Sequence, residues 1–177
     1  MQAERARTTV AALAVSLAQA SAVAAGLVLG AKVRIFLPFT PVPITMQTFA
    51  LLAGASLAPP LIGAAGAALY LALASAGFSV IAGPSVFGPT GGYLLGFVAA
   101  AAVVGGWDRR SGLDLVWRFA AAHLLIYACG ASWLAAWSGS GLGKAVELGV
   151  APFVVGDLIK AAAAWGLALA AGRAARR

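Results

Sequence analysis

Charge is what this sequence has least of. Twelve lysines and arginines and 5 acidic residues make up 10% of its 177 positions, against about 25% in an ordinary soluble domain. A water-soluble fold of this length needs far more charge to cover its surface, because charged side chains supply most of that surface's polarity. A soluble fold is therefore excluded. A bilayer demands no such coat. Cysteine is nearly missing too: Cys129 stands alone, which rules out an intrachain disulfide and a cysteine-ligated metal cluster. His123 is likewise single and lies in an apolar run, so no metal site is expected. The net charge of +7 lacks the basic face with interleaved aromatics that nucleic acid requires. No nucleic-acid partner is expected.

What is present is apolar sequence, 62% of the chain. In hydrocarbon every backbone polar group needs an internal partner, so the apolar runs are read as helices. Six are expected: Val10–Ala31, Ile44–Leu57, Leu61–Ala76, Gly91–Gly106, Leu115–Trp137 and Pro152–Ala171. Pro59-Pro60 breaks the second from the third. A full crossing takes about 20 residues, so the second, third and fourth helices are expected to be short or shifted in depth, beside a cavity open to one side. The N-terminal run also has features of a cleavable leader, but Val10–Ala31 exceeds the 7–15 residues of an ordinary leader core. A retained first span is expected.

Lysine and arginine favour the cytoplasmic ends of spans. With the N-terminus inside, inner segments carry Arg5, Arg7, Arg109, Arg110, Arg118, Arg173, Arg176 and Arg177; outer segments carry Lys32, Arg34 and Lys144. The imbalance puts both termini in the cytoplasm. The expectation is an all-α membrane protein of one domain, 1–177, with short basic tails at 1–8 and 172–177. Three unusual segments then share the outer face: Lys32–Gln47, Gly77–Gly92, and the loop into Pro152 with the helix start beyond it.

Asp157 and Lys160 are the leading site candidates. Three apart on the last helix, they share a face. Counted from Pro152, Lys160 lies about 12 Å along the helix at 1.5 Å per residue, deeper than snorkelling easily explains. Charges at such depth usually face a protein interior or a wet cavity. A purely structural ion pair is the plainer reading. Thr45 and Gln47 add a hydroxyl and an amide where the chain re-enters helix. Before them, Pro38, Pro41 and Pro43 stiffen an extended loop, so Phe39, Pro41, Val42 and Pro43 are expected to form a lid. Thr90, Gly91, Gly92 and Tyr93 follow a glycine- and proline-rich stretch whose backbone can approach a ligand. It is not a nucleotide loop, since no lysine follows the glycines and no strand precedes them. On the first helix Ala14, Ala18, Ala22, Gly26 and Gly30 recur every fourth residue; such small-residue stripes let helices approach closely.

Three blocks together carry a family resemblance: Thr40-Pro41-Val42-Pro43-Ile44-Thr45-Met46-Gln47-Thr48-Phe49, Gly88-Pro89-Thr90-Gly91-Gly92-Tyr93-Leu94-Leu95-Gly96-Phe97, and Pro152-Phe153 with Gly156-Asp157-Leu158-Ile159-Lys160-Ala161. In that order and spacing the sequence resembles the BioY family, the biotin-specific S components of energy-coupling factor (ECF) transporters. The resemblance implies a six-helix S-component fold in the bacterial inner membrane. It implies capture of biotin, as substrate and not as cofactor, from outside. It also implies partnership with a transmembrane coupling protein and two cytoplasmic ATPase subunits, the coupling protein meeting a stripe at Ala18, Ala22 and Gly26. Biotin's carboxylate suits Lys160, its ureido ring suits Asp157, Gln47, Thr45 or loop backbone, and its thioether ring needs apolar walls. The alternatives are a related subunit for another vitamin, or an intramembrane enzyme using Asp157 and Lys160 as an acid–base pair. The second lacks any nucleophile–base constellation.

Overall fold

The computed structural model describes residues 1–83, 85–107 and 111–175. Arg109, Arg110, Arg176 and Arg177, counted above among the inner-side charges, lie outside the described residues, as do Pro84 and Asp108. The described residues form seven helices in order: α1 Gln2–Lys32, α2 Gln47–Ser56, α3 Pro60–Ser75, α4 Gly91–Val104, α5 Gly112–Ser138, α6 Leu142–Gly149 and α7 Val154–Ala174. Between α1 and α2 a small antiparallel hairpin pairs β1, Arg34–Ile35, with β2, Ile44–Thr45. Ile44 therefore pairs in a strand instead of opening a helix. The prolines between the strands forbid helix there, and ladder bonds satisfy the backbone instead.

Local chemistry sets the helix ends. Pro60 occupies the first turn of α3, where its missing N–H costs nothing. Ser111 caps α5 by accepting from the Asp114 N–H at 3.1 Å. That helix stops at Gly139, whose φ of +66° suits glycine and few other residues. The chain then makes the short helix α6, held by a Lys144–Glu147 pair at 2.7 Å, in a stretch expected to be loop. The last helix begins at Val154 rather than Pro152, because 151–153 form turns. The first and last helices run into the expected basic tails, α1 starting at Gln2 and α7 ending at Ala174.

Bonds at the two ends of α2 fix its antiparallel packing on α1. Met46 N–H donates to Gly30 O at 3.1 Å near one end, and Gln19 Nε2 reaches Leu57 O at 3.5 Å near the other. Between them Gly54 lies on Val23, and Gly66 of α3 lies against Val23 and the Ala20 carbonyl. A side chain at Gly66 would collide with backbone, so close approach here demands glycine. The same device sets α4 on α5, where Gly96 meets the Ile126 backbone. Leu27, Leu51, Leu52, Tyr70, Leu115 and Ile126 fill the interior.

Among the described residues three helices are long and apolar enough to cross a membrane: α1 over Arg7–Lys32, α5 and α7. Helix α2 has only 10 residues, about half a crossing. Apolar side chains also cover the outside: Leu61 is 80% exposed, Leu124 70% and Ile159 66%. Patches this extensive are untenable in water and ordinary in lipid. The hairpin, the 77–90 segment and the α6–α7 connection gather at one end of the bundle, where the site lies.

Candidate functional site

The site is built on Asp157, buried in the first turn of α7. A carboxylate is stabilised there by the helix N-terminal dipole and by three side-chain donors. Thr48 of α2 and Lys160 each donate to Oδ1 at 2.9 Å, and Tyr127 of α5 donates to Oδ2 at 2.7 Å. The Asp157 and Lys160 side chains are only 6% and 11% exposed. Both charges are thus withdrawn from solvent, and the pair tolerates this because it is matched and hydrogen-bonded. Lys160 has Asp157 as its protein partner, leaving ammonium N–H groups for an acceptor.

A second polar group comes from the start of α2. Gln47 is 4% exposed. Its Nε2 donates to the Tyr70 hydroxyl at 2.7 Å, and its Oε1 accepts from Thr45 at 3.3 Å. Thr90, just before α4, presents a buried Oγ1 with no partner among the described residues. Buried hydroxyls normally find one. This one faces the same cavity as Asp157, so a ligand atom can supply the missing bond.

One cavity of about 50 Å³ joins these groups: Thr45, Gln47, Thr48, Thr90, Tyr93, Tyr127, Asp157 and Lys160, with Val42, Pro43, Phe97 and Phe153 as apolar walls. Sequence reading had singled out Asp157, Lys160, Gln47, Thr45, Thr90, Tyr93, Val42 and Pro43, and they converge here. The loop is tied down from outside by Thr40, which donates to Leu148 O at 2.7 Å. Phe39 and Pro41 point away, exposed. Gly91 and Gly92 do not reach the cavity. Side chains there would strike Trp133 and the Cys129 carbonyl, so their role is to seat α4 on α5. Tyr93 lines the cavity and is fixed by donating to Gly149 O at 2.7 Å.

Thr48 and Tyr127 were not anticipated. A threonine one residue past Gln47 and a tyrosine inside an apolar helix both look like packing. The stripe on α1 is divided. Gly26 and Gly30 pack on α2, whereas Ala18 and Ala22 are exposed. Among the described residues no cluster of three or more metal-ligating side chains occurs.

Comparison with known proteins agrees with this architecture. The family model described as BioY family matches residues 3–177. The probable biotin transporter BioY of Pyrococcus horikoshii is 40% identical over 131 residues, 70% of this chain and 76% of that protein. The biotin transporter BioY of Thermotoga maritima is 35% identical over 142 residues, 76% and 82% of the two chains. A crystal structure of the S-component for biotin from an ECF-type ABC transporter superposes with a TM-score of 0.79 at 23% identity, over 93% of this chain and 92% of that one. At that identity the likeness is one of fold.

Proposed function

Since this chain belongs to the BioY family, we propose that it is the biotin-capturing membrane subunit of an energy-coupling factor importer. The carrying observation is the buried Asp157–Lys160 pair, 2.9 Å apart, facing one cavity with Gln47 and the partnerless Thr90 hydroxyl. Asp157 cancels the charge of Lys160. A carboxylate brought against the pair would leave one negative charge uncompensated away from water, which is costly. The neutral ureido ring leaves none. Its carbonyl accepts from Lys160, and its N–H groups donate to Asp157 and to Gln47 or Thr90. Phe97, Phe153 and Val42 enclose the thioether ring, and the valerate carboxylate points to the cavity mouth. This departs from matching Lys160 to the carboxylate.

In this reading the chain is a single membrane domain with six spans, α1 to α5 and α7, while α6 lies along the outer surface. Both termini are cytoplasmic and the cavity opens outward in the cell (inner) membrane. The exposed Ala18 and Ala22 on α1 meet the transmembrane coupling protein, and Gly26 lets the helix pack closely just above. Two cytoplasmic ATPase subunits supply the energy. The chain acts by binding and delivery, not catalysis.

The test is purification in detergent, mass spectrometry of co-purified small molecules, and titration with labelled biotin. A dissociation constant of about nanomolar order, lost in Lys160→Ala, is expected. Saturable binding of a different vitamin, or no ligand on folded protein, would overturn the assignment.

A further inference from the structure

The ligand cavity has a volume of about 50 Å³, well below the roughly 300 Å³ at the small end of ligand pockets. Something in its wall has to move before a bicyclic ligand fits. Immediately behind the wall, between α5 and α7, lies an apolar groove of about 400 Å³ lined by Val116, Phe119, His123, Tyr127, Ala161 and Trp165. Tyr127 and Asp157 border both spaces. The partition between cavity and groove is therefore the Tyr127 ring, held by its 2.7 Å bond to Asp157 Oδ2.

One turn before Tyr127 on α5 sits His123. Its Nδ1 lies 2.8 Å from Phe119 O. A carbonyl only accepts, so Nδ1 carries the proton, and Nε2 of the neutral ring is an acceptor. That Nε2 is buried and has no partner among the described residues, a costly condition that native structures seldom leave unexplained. The two rings are neighbours, with centroids 6.0 Å apart and planes at 55°. Aromatic side chains on a helix lean back over the preceding turn, so the Tyr127 hydroxyl has His123 within its sweep.

We infer that Tyr127 is a gating and positioning residue: on ligand capture its ring swings into the α5–α7 groove and its hydroxyl passes from Asp157 to His123 Nε2. The swing enlarges the cavity on the side where it is cramped. It also frees Asp157 Oδ2 for a ligand N–H and gives the orphaned imidazole nitrogen its donor. No hydrogen bond is lost in the exchange. Ala161, one turn below Asp157 on α7, borders the space the ring moves into.

This inference rests on the biotin reading, and the experiment separates the two. Wild-type protein, His123→Phe and Ala161→Leu are compared for biotin association by stopped flow, with thermal unfolding checked for each. Infrared spectra of protein carrying isotope-labelled tyrosine, in wild type and Tyr127→Phe, report the Tyr127 C–O environment with and without biotin. Folded Ala161→Leu and His123→Phe are expected to associate about tenfold or more slowly, the weight of one buried hydrogen bond. The Tyr127 band is expected to shift on binding in wild type and to keep its free position in His123→Phe. If wild type binds biotin but neither variant changes the rate and the band stays still, the gate is wrong while the biotin assignment stands. If wild type does not bind biotin, the assignment itself fails. Should Ala161→Leu not fold, the band shift in wild type and His123→Phe decides alone.

Discussion

Thr48 and Asp157 meet at 2.9 Å across 109 positions of sequence. The bond ties the first turn of α2 to the first turn of α7, where the second and last apolar helices enter the site. In the proposed site the same carboxylate thereby braces the two helices that carry Gln47, Thr48 and Lys160. Binding and folding are coupled through it.

The ion pair can be dissected on that basis. Lys160→Ala leaves the Asp157 carboxylate buried without its cation, and stability should fall by about 3–5 kcal/mol. The double variant Asp157→Leu/Lys160→Met removes both charges at similar volume and should recover part of that loss, short of wild type because the Thr48 and Tyr127 hydroxyls lose their acceptor, while binding no biotin. Thermal unfolding in detergent beside ligand titration checks both arms. A double variant that still captures biotin would remove the pair from the site.

Tyr93 and Gly149 form a second testable couple. A methyl at position 149 would occupy the place of the Tyr93 hydroxyl, so Gly149→Ala should cost about 1–3 kcal/mol through overpacking. Tyr93→Phe alone should cost about 1 kcal/mol for the lost bond to Gly149 O. In the double variant the clash with the hydroxyl is gone, leaving the movable Leu134 methyl at 2.8 Å, and the two effects should be less than additive. Denaturation of the four proteins completes the cycle.

Orientation is checked by labelling. In a Cys129→Ala background, cysteine at Ser140, beside α6, should react with an impermeant maleimide on intact cells. Cysteine at Ala175, past the end of α7, should react only after permeabilisation. The reverse pattern would invert the proposed topology.

The two halves of the α1 stripe should behave differently. Ala18→Leu and Ala22→Leu alter exposed positions and should leave biotin binding unchanged. Cellular uptake should fall by about tenfold or more, equivalent to 1.4 kcal/mol of lost docking energy. Gly30→Leu, set against the Gln47 backbone, should disturb the site itself. Parallel binding and uptake assays distinguish the two outcomes.

These contrasts also show which features the sequence made legible. Asp157 and Lys160 stood out because charge inside an apolar run is expensive, and three-residue spacing places both on one face whatever the tertiary detail. The proline-stiffened loop was readable because proline fixes backbone locally, yet only Val42 and Pro43 of it line the cavity, while Phe39 and Pro41 stand exposed. Gly91 and Gly92 misled for the opposite reason. Glycine signals close approach without saying to what, and here the neighbour is Trp133. Tyr127 was unreadable because a tyrosine in an apolar helix declares nothing until the carboxylate opposite it is known. Helix α6 was missed although Lys144 and Glu147 have helical spacing; eight residues are too few for periodicity to compete with the glycines around them.

The near-complete enclosure of Asp157 and Lys160 bears on the habitats in which such a subunit can work. Mobile ions weaken attraction between charges at a protein's surface within a few ångströms in concentrated brine, but they do not enter a dry interior. Recognition seated on an enclosed, electrically neutral couple should therefore proceed alike in fresh water and in the sea.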